Sequence, residues 1–177
     1  MNKQSIYIGN LFPQLWKEVE NYRAESLFIL TDNNTHRLCL NHLNDLNILP
    51  ENIIKIKAGD DNKNVEALTS VWQHLSSHGA SRKSLLINLG GGMITDLGGF
   101  AASTFKRGME YINIPTTLLG AIDAAVGGKT GINFNGLKNE VGVINPSQSV
   151  LIDVQFFKTL GFFRQKTITK TSEFLPK

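Results

Sequence analysis

Short apolar runs alternate along the chain with segments whose apolar residues recur at helical spacing, the pattern of a parallel sheet covered by helices. Ser26 to Asp32, reading SLFILTD, is a buried strand ending in an acid. Leu38, His42, Leu43 and Leu46 then fall at helical spacing, and Pro50 closes that helix. Ile53 to Ala58 alternates as a second strand. Gly59-Asp60-Asp61-Asn62 turns the chain and caps a helix whose buried stripe is Val65, Leu68, Val71, Trp72 and Leu75, with Gly79 ending it. A strand over Ser84 to Leu89 runs into Gly90-Gly91-Gly92 and a helix through Phe105. Tyr111 to Ile114 and Val150 to Val154 are further strands, separated by a long stretch rich in Thr, Gly and Ala. The expected class is α/β, a Rossmann-like parallel sheet flanked by helices over residues 1–160. Residues 161–177 show neither a sustained period nor a cap, and read as an atypical tail or the truncated start of a further domain.

Composition narrows the setting. The chain has 177 residues, 41% of them hydrophobic, enough for one core without staples. Its single cysteine, Cys39, lies inside the expected Leu38 to Leu46 helix, which excludes a disulfide framework and a thiol zinc cluster. Met1 to Leu11 lacks the basic start and apolar run of a signal peptide, and no stretch approaches ~20 apolar residues. A soluble protein of the reducing cytoplasm is expected, with no membrane partner. The formal charge of +3 is spread out, and Arg164, Lys166, Lys170 and Lys177 form no dense block. A nucleic-acid partner is therefore not expected, whereas small acidic ligands fit.

The chemistry concentrates at glycine. A strand, then Gly90-Gly91-Gly92-Met93-Ile94-Thr95-Asp96, then a helix lets backbone approach a pyrophosphate at a helix N-terminus. The fingerprint G-x-G-x-x-G fails at Thr95, and a tight strand-to-helix turn is the plainer alternative. Gly98, Gly99, Ala101, Ala102 and Ser103 would let the helix lie close to a neighbour, for which packing alone is sufficient reason. Gly127-Gly128-Lys129-Thr130-Gly131 is no P-loop, because Asp123 stands where its first glycine belongs. It leaves a glycine-held lysine near an aspartate, followed by Lys138-Asn139, a set suited to phosphate or carboxylate, or else a solvated loop with surface lysines. His74 and His78 have metal-ligand spacing, but no acid lies between them, and histidine is in any case compatible with the end of a helix. Asp32 is equally a ribose ligand or a helix cap.

Three segments in order, LGGGMITDLGGFAASTFKRG, IPTTLLGAIDAAVGGKTGINFNGLKN and VLIDVQFFKTL, resemble 3-dehydroquinate synthase over about Ser26 to Leu160. Iron-type alcohol and glycerol dehydrogenases share the related fold without the central block. The resemblance implies the N-terminal domain of the dehydroquinate synthase-like fold, with the helical C-terminal domain missing. It places NAD against Asp32 and Asn34 at the adenosine ribose, then Asp60 and Lys63. Gly91, Gly92, Met93 and Asp96 fall at the pyrophosphate and nicotinamide ribose, Thr116, Thr117 and Leu119 line the cofactor, and Phe156 and Thr159 close over the adenine. Substrate contacts fall on Asp123, Lys129, Lys138 and Asn139, the two lysines also bordering the cofactor. Arg107 reaches the substrate phosphate of the neighbouring subunit in a homodimer.

The implied reaction converts the sugar-acid phosphate DAHP to 3-dehydroquinate and phosphate, a lyase step of the shikimate route to aromatic amino acids. It uses recycled NAD and a divalent zinc or cobalt ion. The family takes its metal ligands from a Glu shortly after KTL and two His of the C-terminal domain. Here Glu173 has the wrong neighbours and no histidine follows His78. No metal ligand is therefore assigned, and the chain alone is expected not to turn over. A related sugar phosphate cyclase, a metal-dependent alcohol dehydrogenase and a non-catalytic NAD-binding module are the alternatives, separated by whether NADH is recycled, released or never formed.

Overall fold

In the computed structural model, residues 4–159 are described, the side chain of Thr159 excepted. Six parallel strands make one sheet: β1 (Ser5–Ile8), β2 (Leu27–Asp32), β3 (Ile53–Ile56), β4 (Leu85–Gly90), β5 (Glu110–Pro115) and, after a separate antiparallel hairpin of β6 (Lys129–Phe134) and β7 (Leu137–Ile144), β8 (Ser149–Ile152). Their spatial order is β1-β8-β5-β4-β2-β3. The chain moves outward from β2 to β3, crosses back to β4, and proceeds the other way, so the order reverses between β2 and β4.

Both faces of the sheet are covered, which is why its inner strands read as unbroken apolar runs. Along β2, Phe28 and Leu30 point into one layer with Leu68, Val71, Leu75 and Leu97. These come from α3 (Val65–Ser77) and α4 (Gly92–Thr104). Leu27 and Ile29 point into the other layer, with Leu15 and Val19 of α1 (Phe12–Val19) and with Leu43, Leu46 and Phe156. Burying each such side chain contributes about 1.5–3 kcal/mol before entropy is charged against it.

Several local expectations need correction. The span Leu38 to Leu46 is not one helix: α2 (Asn33–Leu38) ends at Cys39, and Leu40–Leu46 is a 3₁₀ segment that still buries Leu43 and Leu46. Asn64, not the Gly59 to Asn62 turn, caps α3, its side chain accepting from the Ala67 amide at 3.0 Å. Val65, next to that cap, is 40% exposed and leaves the buried stripe. The polar N-terminus holds α1 and β1, the latter on the sheet edge beside β8. The Thr/Gly/Ala stretch contains the β6–β7 hairpin, closed by Asn135 and Gly136 at φ 50° and 78°, left-handed values at both turn positions as a type I′ turn requires.

Glycines 98 and 99 bear out the packing reading of α4. A Cβ on Gly98 would overlap Asn88 Oδ1 and lie 2.9 Å from Leu30 Cδ2, and one on Gly99 would collide with Thr130 Cγ2 of the hairpin. The helix therefore lies directly on the sheet below it and on β6 above.

Candidate functional site

At the reversal between β2 and β4, strand ends and loops diverge and leave a cavity of about 630 Å³. Asp32 and Asn34 enter it from β2 and the start of α2. Ala58, Gly59, Asp60 and Lys63 come from the turn after β3, Gly91, Gly92, Met93 and Asp96 from the start of α4. Thr116, Thr117, Leu119, Asp123 and Ala124 come from the segment after β5. Thirteen residues of α4 aim its N-terminal amides and positive dipole end at this space.

The three glycines divide their work. A Cβ on Gly90 would sit 2.5 Å from the Cβ of Ile94, so Gly90 serves the turn itself. Gly91 and Gly92 line the cavity, where added Cβ atoms would press on Thr117 Cγ2 and Ala124 Cβ, each at 3.1 Å. Opposite them, Gly120 donates its amide to Thr117 Oγ1 at 3.0 Å, and a Cβ there would approach the Gly92 nitrogen to 3.1 Å. At the start of α4 the cavity wall is thus glycine backbone, as close approach to an anionic group requires.

Asp32 fulfils the capping alternative and also faces the cavity. Its Oδ1 accepts from the Asn34 and Thr35 amides, both at 2.8 Å, while the Thr35 hydroxyl accepts from the Asp32 amide. This reciprocal pair is a capping box that fixes α2 and holds the carboxylate at the rim.

Lys63 is the electrostatic centre. Only 4% exposed, it donates to Asp96 Oδ2 at 2.9 Å and to Asn139 Oδ1, and lies 3.8 Å from Asp60 Oδ1. Burial pushes the Asp96 carboxyl above the usual range despite the Lys63 hydrogen bond and charge, with Asp123 and Asp60 adding to the rise. Lys138 bonds Asp60 Oδ2 at 2.8 Å, and this contact, ahead of Lys63, holds the Asp60 carboxyl below its ordinary value. The same pairing raises the exposed Lys138 ammonium. A second cavity of about 510 Å³ shares Asp96, Asp123 and Ala124 with the first, and adds Lys129, Thr130 and Asn139 from the hairpin. Lys138 borders neither cavity, because its ammonium is turned onto Asp60.

The sheet anchors this second wall through polar groups. Asn88 Nδ2 donates to Asn113 Oδ1 at 3.0 Å across β4 and β5, and Asn113 Nδ2 donates to the Ala125 carbonyl at 3.3 Å. Gln4 adds a bond to the same carbonyl and accepts from the Gly127 amide. At the hairpin base, Tyr111 donates its hydroxyl to the Asn145 carbonyl, and Asn145 bonds Ser103. Burial raises the Tyr111 hydroxyl far above its ordinary value, keeping it a donor.

Other candidates lie elsewhere. Arg107 is exposed beyond the C-terminal end of α4, at φ 68°, remote from both cavities. Phe156 is fully buried in the core, edge-on to His42 at 5.4 Å, rather than on the cavity wall. Thr159's side chain and the tail residues, Glu173 included, lie outside the described residues. His74 and His78 stack at 4.2 Å, and their ring nitrogens donate to the carbonyls of Glu51 and His74. Among the described residues no group of three or more His, Cys, Asp or Glu is placed to hold a metal ion. The sequence reading missed Thr35, Leu38, Cys39 and Gly120 on the cavity wall, and Asn133 behind it. Only their position one turn from assigned residues could have signalled them.

The profile of the family described as 3-dehydroquinate synthase N-terminal matches residues 53–167. The 3-dehydroquinate synthase of Parabacteroides distasonis is 51% identical over 162 residues, covering 90% of this chain and 46% of that protein. That of Clostridium tetani is 41% identical over 169 residues, covering 93% and 45%. Among solved structures, 2-epi-5-epi-valiolone synthase from Streptomyces hygroscopicus, with NAD+ and Zn2+ bound, superposes at a TM-score of 0.77 with 31% identity, over 89% of this chain and 45% of that one. A 2-deoxy-scyllo-inosose synthase, at 22% identity and a TM-score of 0.74 over 85% of this chain and 43% of that one, shares the fold. The chain thus spans less than half the length of these relatives. Since the profile covers about two thirds of the chain, including the glycine turn, the Asp123 segment and the whole hairpin, the chain belongs to the 3-dehydroquinate synthase N-terminal family.

Proposed function

We propose that this chain is the nucleotide-binding half of a 3-dehydroquinate synthase, converting DAHP to 3-dehydroquinate and phosphate when its other half is present. The observation that carries this reading is the pair of adjoining cavities, one built of glycine backbone at a helix N-terminus, the other bearing Lys129 and Asn139, with Asp96 and Asp123 at their junction. The first has the size and lining for NAD. Asp32 and Asn34 meet the adenosine ribose. The amides of Gly91 to Met93 hold the pyrophosphate, and Asp96, kept in place by Lys63, accepts from the nicotinamide ribose. NAD, when bound, would supply reversible hydride chemistry at a substrate carbinol carbon, whose hydroxyl proton leaves as the carbonyl forms and is regained on reduction. Within this chain, Lys129 and Asn139 bind and orient the substrate's anionic groups beside Asp123. Lys138 joins them by leaving Asp60.

Arg107, exposed and lining neither cavity, is assigned to the substrate phosphate of a neighbouring subunit in a homodimer, as the resemblance implies. Zinc or cobalt, which the resemblance implies for the complete enzyme, would be held by residues of the metal-binding half and would polarise the hydroxyl being oxidised. Buried Cys39 accords with a reducing, cytoplasmic setting. Among the described residues no helix is long and apolar enough to cross a membrane.

Calorimetric titration with NAD tests the site. Saturable binding by the 177-residue chain, lost in Asp96→Ala, is the expected result, and absence of saturable binding by the parent removes the nucleotide reading. Supplied with DAHP, NAD and zinc, the chain alone is expected to form no 3-dehydroquinate. Product formation would show that the metal-binding half is dispensable.

A further inference from the structure

We infer that Asn133 is a positioning residue that holds the cofactor side and the substrate side of the site in one geometry, an inference that rests on the nucleotide reading above. Asn133 lies on β6 and lines neither of the two cavities. Its backbone amide donates to the Lys63 carbonyl at 2.7 Å and its Nδ2 to the Asp60 carbonyl at 3.0 Å, a contact 73 residues distant in sequence. Its Oδ1 accepts from the Asn139 amide at 3.0 Å. One half-buried side chain therefore uses both ends of its carboxamide, one on the turn that carries Asp60 and Lys63, the other on the strand that carries Lys138 and Asn139.

The bond to Asn139 has a particular use. Asn139 sits at φ 53°, a left-handed conformation uncommon for any residue but glycine, though asparagine tolerates it. With its amide held there, its side chain turns onto Lys63 Nζ, the group that also fixes Asp96. Asn133 thus acts on the cofactor cavity through Asn139 and Lys63 without touching a ligand. The β6–β7 pairing is regular from Lys129↔Ile144 to Ile132↔Val141 and breaks at Asn133 before Phe134↔Leu137, so the backbone ladder leaves Asn133 free to reach the Asp60–Lys63 turn while its side chain spans the break to Asn139.

The test compares Asn133→Ala and Asn133→Asp with the parent chain by NAD calorimetry, residue-resolved amide exchange without NAD, and thermal unfolding. For Asn133→Ala the expected result is about tenfold weaker NAD binding, the equivalent of one net hydrogen bond, with faster exchange confined to the Asn62, Lys63 and Asn139 amides. Asn133→Asp keeps the acceptor and loses the donor, so Asn139 should stay protected while Asn62 and Lys63 exchange faster. Unchanged exchange at all three amides overturns the inference. So does a fall in affinity accompanied by uniformly faster exchange and a lowered midpoint, which is a structural role only. If the parent binds no NAD, the nucleotide reading fails, while the exchange data still uphold or overturn the coupling.

Discussion

Replacing Lys63 with methionine is expected to cost the fold about 3 kcal/mol at neutral pH, the lower end of the cost of stranding a buried charge. The lower end applies because the Asp96 side chain keeps 18% of its exposure on the cavity wall. Methionine fills the space of the aliphatic stem, so the loss is electrostatic: Asp96 is left without its 2.9 Å donor and Asn139 without its partner. The sign with pH follows. Burial already raises the Asp96 pKa, and removal of Lys63 raises it further, so the deficit is full above that raised pKa and shrinks as pH falls through it and the carboxyl takes up a proton. Urea unfolding of Lys63→Met and of Lys63→Met/Asp96→Asn measures this directly. The double variant should recover most of the loss, and equal instability of the two would mean that the ammonium matters for packing, not charge.

Gly98→Ala is expected to lower stability by about 3 kcal/mol, toward the upper end of overpacking costs, and the melting temperature by about 6–12 °C. Alanine is the better helix former, so propensity alone predicts a gain. Sterics decide the other way, because the new methyl would overlap the carboxamide of Asn88, itself bonded to Asn113 and unable to withdraw without breaking that link. Differential scanning calorimetry decides the matter. A raised midpoint would show that α4 can lift off the sheet at little cost.

Much of this fold was legible because its inner strands are buried on both faces. The apolar runs at Leu27, Leu85 and Tyr111 and the alternation of the edge strand at Ile53 needed no tertiary knowledge to be recognised, and the glycine turn announced the cavity's central wall. Among the elements that went unread, α1 and β6 bury Leu15, Val19 and Ile132 but are short, while β1 and β7 turn their apolar residues outward. β7 is exposed along its whole length and β1 nearly so, and a strand with no buried face shows no alternation to detect. Asn135-Gly136 was a readable hairpin signal, obscured by the neighbouring glycines. Asp32 was left between cap and ligand because one oxygen can cap while the carboxylate still faces solvent, and only coordinates show both. Phe156, which the resemblance places over the adenine, is instead packed in the core against His42, and burial of that kind is visible only in coordinates.

The parallel pairing of β1 with β8 joins Ser5 to Ser149, so β1 is made long before the strand it pairs with. With a sequence separation of 144 between those partners, 149 minus 5, and synthesis at about 5–20 residues per second, β1 waits roughly 7–30 s for the strand it needs. Its outward-facing Ile6 and Ile8 bury little, so the β2 to β5 nucleus can assemble without it. The nascent chain therefore passes through a state in which β5 is an unclosed edge, the interval in which a chaperone has most to protect.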